Sequence, residues 1–352
     1  MLRRLEAGPN DFPSLREIVM LNGAVLVTGG AGYIGSHAVL ALLDAGHRVV
    51  VVDNLVTGFD WAVDPRATLV RAGIEEDGPV RAAMRAHDVR AVMHFAGSVV
   101  VPESVSDPLK YYRNNTAASR ALLESAVVCG VRHFIFSSTA ATYGTPEKVP
   151  IAEGDPQAPI NPYGMSKLMT EAMLRDVAAA HPINFAALRY FNVAGADPKG
   201  RSGQSTAGAT HLIKVAVEAA TGKRDGVSVF GTDFATPDGT GVRDYIHVSD
   251  LAAAHVAALD LLIAEPGRNH FLNAGYGRGF SVQQVLDAVD RVTNMKIERR
   301  LEGRRPGDPA ELVADNRAIL ATLDWKPALD DLDTIVKDAL AWERLLEQRG
   351  QQ

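Results

Sequence analysis

Ala24-Val-Leu-Val-Thr28, followed directly by Gly29-Gly-Ala-Gly-Tyr-Ile-Gly35, is the stretch that decides the fold. The first five residues form a short apolar run without helical period, as in a parallel strand buried on both faces, and the glycines end it. Ile34, Ala38, Leu42 and Ala45 then recur at three or four residues, and Gly46 stands where a left-handed closing residue belongs, which predicts a helix. Val49-Val-Val-Val52 reads as a second strand ending on Asp53.

Each residue type in this unit answers a separate chemical need. Gly29 permits a tight turn, Gly32 lets backbone N–H groups approach a pyrophosphate, and Gly35 lets helix and strand pack closely, with phosphates at the positive helix end. Asp53 lies roughly 20 residues on, where a carboxylate accepts hydrogen bonds from a ribose diol. It would repel a 2′-phosphate, so NAD is favoured over NADP. The spacing is G-x-x-G-x-x-G rather than the commoner G-x-G-x-x-G, and any glycine-rich turn can match alone. The strand before, the helix after and the acid give it weight.

The chain has 352 residues with 47% hydrophobic content, more than one core usually accommodates, so a large domain with a smaller one is expected. A net charge of −6 offers no basic field for nucleic acid, and no apolar run is long enough to span a membrane. The single cysteine, Cys129, excludes an intramolecular disulfide and a multi-cysteine zinc site, and no His-Glu-x-x-His pair occurs among the ten histidines. The expectation is a soluble cytoplasmic protein without a metal. Residues 1–22 carry Arg3 and Arg4 but are interrupted by Glu6, Asp11 and Glu17, a poor signal or transit peptide and a dispensable extension.

Strands and helices continue to alternate. Thr68-Leu-Val70, Ala91-Val-Met-His-Phe95 and His133-Phe-Ile-Phe136 read as strands, and Pro79–Ala86 and Pro108–Cys129 as helices. This succession predicts an α/β protein, a Rossmann-type doubly wound parallel sheet with ligands at the carboxyl ends of its strands. We expect an NAD-binding domain over residues 23–190 and a smaller C-terminal α/β substrate domain over 191–352, with segments returning to the large one. Arg189–Thr206 reads as a crossing loop, Ala207–Thr221 as a helix, Val227–Phe230 as a strand, and Phe271-Leu272 as a strand rejoining the large sheet. Leu251–Ile263, Val282–Val292 and Leu332–Leu346 show helical patterns.

Asn161-Pro-Tyr-Gly-Met-Ser-Lys167 carries the catalytic signal. Asn161 suits an N-cap and Pro162 the first helical position, so Tyr163 and Lys167 share one face of a first turn. A phenol with pKa of about 10 is a poor base unless cations stabilise its phenolate. Lys167, the helix end and an oxidised nicotinamide would do so. Thr139, ending a strand beside the cofactor, could donate to or relay a proton from the substrate oxygen; alone, it would be a turn residue bonded to its own backbone.

The ordered motifs from Ala24 to the last helix resemble those of the extended short-chain dehydrogenases/reductases, and within them the UDP-glucose 4-epimerase (UDP-galactose 4-epimerase) family. They include Val27-Thr-Gly-Gly-Ala-Gly-Tyr-Ile-Gly-Ser-His37, Val52-Asp-Asn-Leu55, His94-Phe-Ala-Gly97, Pro162-Tyr-Gly164, Leu188-Arg-Tyr-Phe-Asn192 and Asp238-Gly-Thr-Gly-Val-Arg-Asp-Tyr-Ile-His-Val248. The resemblance implies Tyr163 as base, Lys167 as its partner and ribose anchor, and Thr139 as the usual serine or threonine. It places NAD on Gly29, Gly32, Tyr33, Ile34, Gly35, Asp53, Asn54, Phe95, Ala96, Gly97, Asn115 and Phe191 besides Tyr163 and Lys167. Asn192 and His211 would meet the UDP-sugar, Ser228, Val229 and Phe230 the uracil end, Arg243 and Arg305 the diphosphate, and Asp308 a ribose. A homodimer formed through Pro108–Cys129 and Tyr163–Ala180 is also implied.

Several positions depart from the family pattern. Gly73-Ile74 replaces a common Asp-Ile that reaches adenine, Ser98 stands where a lysine often follows, and His211 where several relatives have asparagine. Leu312 occupies a position where tyrosine excludes N-acetylated sugars, which leaves N-acetylhexosamines open. The implied reaction is reversible C4 epimerisation of a UDP-hexose with NAD bound throughout. A UDP-pentose or UDP-uronate 4-epimerase would keep the same catalytic parts. A non-catalytic NAD-sensing regulator would need no Tyr163 with Lys167, and a 4,6-dehydratase needs an acid where Ala140-Ala141 stands.

Overall fold

The computed structural model describes residues 21–305 and 308–350; most of the expected N-terminal extension, residues 1–20, lies outside them. Seven parallel strands form the main sheet, in the order His270–Ala274, Asn184–Tyr190, His133–Thr139, Val89–His94, Ala24–Thr28, Arg48–Asp53, Thr68–Arg71. Chain order reverses between Ala24–Thr28 and Val89–His94, and the crevice at their carboxyl ends is where a ligand binds in such sheets.

Alternation along the strands makes two cores. Val25, Val27, Val49, Val51, Ala91 and Met93 face the helices Tyr33–Asp44 and Val248–Ala264. Leu26, Val50, Val52 and Val92 face the helices Asp77–Ala86, Ala118–Val128 and Pro162–Ala180. The Ala24–Thr28 strand is buried at every position, which explains its uninterrupted apolar run. A third core joins Val227, Val229 and Tyr245 to the helices Leu212–Ala220, Val282–Thr293 and Leu332–Gly350 in a smaller lobe. His270–Ala274 pairs with Asn184–Tyr190, so the chain returns from the small lobe to the edge of the large sheet.

The expected helix Pro108–Cys129 runs without a break as Pro108–Tyr111, a π-helical stretch Tyr112–Ala117 that the sequence did not announce, and Ala118–Val128, and a further short helix, Val101–Ser106, precedes it. Pro108 disfavours helical geometry at Asp107, which leaves the helix and whose side chain caps the next turn by accepting from Lys110 N. Two boundaries move. The helix expected from Ala207 starts at Leu212, and the expected loop Arg189–Thr206 begins inside a strand and contains another, Asn192–Ala194, paired with Val242–His247. That pairing is made with residues some fifty positions away, which local composition does not report.

Candidate active site

The glycine turn joins the Ala24–Thr28 strand to the Tyr33–Asp44 helix. Gly29 has φ of +69°, and a Cβ there would lie 2.7 Å from the Ala96 nitrogen. At Gly35 a side chain would collide with the Gly29 carbonyl, so the helix starts against the turn only because that residue has none. Gly30, which the spacing alone did not single out, is equally constrained: its Cβ would lie 2.8 Å from a Val51 methyl. Asp53 Oδ2 accepts from Ala31 N at 3.0 Å and Oδ1 from Leu55 N at 2.8 Å. Each oxygen keeps a further lone pair for a diol. Asn54, next in the loop, accepts from Val56 N at 3.2 Å. Tyr33 reaches across the crevice and donates to the Gly195 carbonyl at 2.7 Å, while Ile34 is half-buried against the first core.

On the other side of the crevice, Phe95-Ala-Gly97 follows the Val89–His94 strand. A Cβ on Gly97 would lie 2.8 Å from Asn115 Oδ1 and 3.9 Å from Lys167 Nζ, so the bare glycine leaves a cradle between these groups and the backbone. Asn115 lies within the π-helical stretch. Such a stretch adds a residue to a turn and re-aims side chains. Its oxygen accepts from Ser98 N at 2.7 Å, and its nitrogen donates to Ser98 O and Ser166 Oγ, both at 3.0 Å. Because Ser166 Oγ in turn donates to Tyr163 O at 2.7 Å, this chain ties the cradle to the next helix. A turn closed by glycines, a buried carboxylate with spare acceptors and an open cradle beside an ammonium fit a dinucleotide.

That next helix, Pro162–Ala180, begins as its sequence predicts, with Asn161 Oδ1 accepting from Gly164 N at 2.8 Å. Gly164 also lets the helix approach the Ala140–Thr142 turn, since a Cβ there would crowd the Ala141 carbonyl. Thr139 Oγ1 accepts from Ala141 N at 3.1 Å, which leaves its own proton for the Tyr163 hydroxyl. Burial pushes the Tyr163 phenol above its ordinary range, and the Thr139 hydrogen bond opposes this. The Lys167 ammonium donates to Ser137 O at 2.9 Å and lies 5.0 Å above the Phe136 ring. Burial lowers its pKa to about 8.

Three groups that the sequence left unassigned are packed around this site. The Tyr111 ring meets Tyr163 edge-on at 6.3 Å, its hydroxyl held 2.6 Å from Val100 O and 2.9 Å from Glu103. His94 is buried between Thr28 Oγ1 and Ser119 Oγ, each at 2.7 Å. Burial, and then the charge on Lys167, lower its pKa to about 3, which keeps the imidazole neutral. Glu171 and Arg189 form a buried two-point ion pair at 2.9 and 2.7 Å. His94 and Arg189 lie within quoted motifs, but their partners Ser119 and Glu171 stand far away in sequence and become neighbours only through the fold.

The expected substrate residues fall into two places. Asn192 and His211 line one cavity with Gln204, Tyr245 and Trp342, and the His211 ring meets Gln204 at 2.7 Å. Burial holds that imidazole below its usual pKa. Arg243 starts the second group on the Val242–His247 strand, where loss of hydration lowers its pKa and Asp308 and Arg305 act on it electrostatically. Arg305 donates to Asp308 at 3.0 Å and stacks over the Phe230 ring at 4.4 Å. Ser228 and Phe230 face away from the lobe's core, but the Val229 side chain is fully buried in it. Strand alternation turns the Val229 side chain inward, so at this position of the expected uracil-facing stretch Ser228-Val-Phe230 it is the backbone that is left toward a ligand. Phe191 packs with Tyr143, Ile151 and Leu312 beside Ala140.

A model of the NAD dependent epimerase/dehydratase family matches residues 25–275. UDP-glucose 4-epimerase of Azospirillum brasilense is 56% identical over 92% of this chain and 93% of that protein. A crystal structure of UDP-glucose 4-epimerase from Stenotrophomonas maltophila, with bound NAD and formylated UDP-arabinopyranose, superposes with a TM-score of 0.90 at 39% identity, covering 93% of this chain and all (100%) of that one. The Brucella ovis enzyme in complex with NAD gives 0.88 at 44% identity, with 91% of this chain and 98% of that one covered. These matches span both the large sheet and the smaller lobe, and the chain belongs to the NAD dependent epimerase/dehydratase family.

Proposed function

We propose that this protein is an NAD-dependent UDP-glucose 4-epimerase, an isomerase that interconverts UDP-glucose and UDP-galactose. The observation that carries the reading is the Thr139, Tyr163 and Lys167 group at the mouth of the glycine-turn crevice, in a chain 56% identical to a named relative. NAD would sit in residues 23–190, along Gly29, Gly32, Gly35, Asp53 and Gly97, and the UDP-sugar mainly against residues 191–352. When bound, it supplies an acceptor that takes hydrogen from C4 with its electron pair and returns it to the opposite face.

The protein's part is to move one proton and to hold one end of the substrate. Tyr163 as phenolate takes the proton of the 4-hydroxyl, Thr139 donates to the same oxygen, and the Lys167 charge offsets the cost of a buried anion. The resulting 4-keto sugar must turn over before it is reduced. Turning requires UDP held firmly and the sugar loosely, which suits arginines at the diphosphate, whose planar forks bind phosphate oxygens in pairs. Arg243 and Arg305 fit that task, with Asp308 at a ribose, Phe230 and Ser228 at the base, and Asn192 and His211 nearer the sugar. No net oxidation results.

We also propose a cytoplasmic homodimer. On the two helices expected to pair, Leu109 and Met169 are 76% and 40% exposed, and Tyr112, Thr116, Ala117, Met169 and Met173 line a largely apolar groove that Arg120 borders. A face of this kind on a globular chain suits pairing with a second copy.

The test is to incubate purified protein with UDP-galactose, UDP-N-acetylgalactosamine, UDP-xylose and UDP-glucuronate and to identify the products. UDP-glucose should form from the first, and conversion of only the pentose or uronate would select the alternative reading. The Tyr163→Phe variant should lose at least about a hundredfold in kcat, the usual worth of a general base, while still retaining NAD. Near-normal turnover in that variant would remove Tyr163 from the mechanism.

A further inference from the structure

Two of the three tryptophans meet across the molecule. Trp61 lies in the loop that follows Asp53, and Trp342 on the C-terminal helix Leu332–Gly350. Their rings stack at 6.2 Å with 29° between planes, Phe59 lies 5.1 Å from Trp61, and the Arg349 guanidinium covers both indoles at 4.8 and 5.3 Å. Trp342 is fixed from below. It is buried on Gly203, whose missing side chain makes room for the indole, and its Nε1 donates to Ser205 Oγ at 3.2 Å. Its neighbour Glu343 forms a buried ion pair with Lys214 and a second with Lys223, which hold the helix to the small lobe.

At its other end the Trp61 loop is fastened to the glycine turn. Phe59 N donates to Ala31 O at 3.0 Å, and Gly58 approaches so closely that a Cβ would lie 2.9 Å from Ala31. Ala31 N in turn donates to Asp53 Oδ2 at 3.0 Å. A continuous path thus runs from the C-terminal helix through two stacked indoles to the turn and carboxylate assigned above to the dinucleotide.

We propose that Trp342, Trp61 and Arg349 form a clasp that holds this loop closed over the adenosine end of the cofactor site, so that NAD is retained between turnovers. The proposal rests on the assignment of Gly29–Asp53 to NAD. A loop that must lift for cofactor to leave opens at the cost of its weakest attachments; away from the turn these are the solvent-exposed Asp60–Arg71 ion pair at 2.8 Å, the packing of Val63 on the first core, and the aromatic stack, which alone reaches the C-terminal helix. Stacked aromatic pairs and a guanidinium over two rings together contribute enough to slow release about tenfold. Trp342 and Glu343 also border the cavity that contains Asn192 and His211, so the same helix touches the substrate end.

The experiment compares full-length wild-type protein with Trp61→Ala, Trp61→Phe and Arg349→Ala. Each is loaded with labelled NAD and chased with excess unlabelled NAD to give a dissociation rate, and the NAD-free forms are melted. Trp61→Ala should release NAD about tenfold faster, Arg349→Ala by a smaller factor, and Trp61→Phe should restore retention, with the melting of the NAD-free forms little changed. Equal release from wild type and Trp61→Ala would overturn the clasp while leaving the assigned reaction untouched. Release that follows a fall in melting temperature and is not rescued by Trp61→Phe would also overturn it. Wild-type protein that takes up no labelled NAD would remove the cofactor assignment and the clasp together.

Discussion

Lys167 is under two opposed demands: burial favours its neutral form, and a phenolate at Tyr163 needs its charge. With its pKa lowered to about 8, the ammonium is present below that value and is lost as pH rises through it. Phenol ionisation runs the other way and gains with pH. Epimerisation should therefore follow a bell, with kcat/KM falling on the alkaline side near pH 8, and Lys167→Arg should move that fall upward because a guanidinium keeps its proton. A pH profile of both proteins checks this, and an unmoved alkaline limb would assign it to another group. At this scale the sequence was legible where a role depends on near neighbours. Asn161 announces its cap, and Tyr163 with Lys167 its shared face. Ser166, which links Tyr163 O to Asn115, could not be read because its partner is 51 residues away.

Among the elements, the glycine turn and its helix act as one part, since the helix can begin at Tyr33 only if Gly35 lies against the Gly29 carbonyl. Gly35→Ala should push the helix from the turn, with protein purified free of NAD and bound at least about tenfold more weakly in titration. Unchanged titration would show that the turn can yield. The strands and helices of the large sheet were readable because full burial writes continuous apolar runs and helical period writes stripes. The π-helical stretch Tyr112–Ala117 was not, because it conforms to packing against Pro162–Ala180 rather than to any composition of its own. Val229 shows a related limit. Val227–Phe230 is visible as a strand, but which of its faces meets the lobe's core follows from Leu212–Ala220 and Val282–Thr293.

For the molecule as a whole, two lobes share one chain that crosses between them several times. The sequence pointed to the return of Phe271-Leu272, since an apolar pair between two helical patterns has to find a sheet. It did not reveal that Asn192–Ala194 pairs with Val242–His247, or that Trp61 and Trp342 meet. Both are products of crossing points that no single segment encodes. The edge position of His270–Ala274 has a consequence for synthesis on the ribosome. Until that segment emerges, Asn184–Tyr190, with Phe185, Ala186, Ala187 and Leu188 at its centre, presents an unpaired strand edge to its surroundings. A fragment ending at residue 190 should accordingly sediment as aggregate when expressed, whereas one extended through the Val248–Ala264 helix and Ala274 should gain soluble material, and nascent chains of intermediate length should be the ones that chaperones hold.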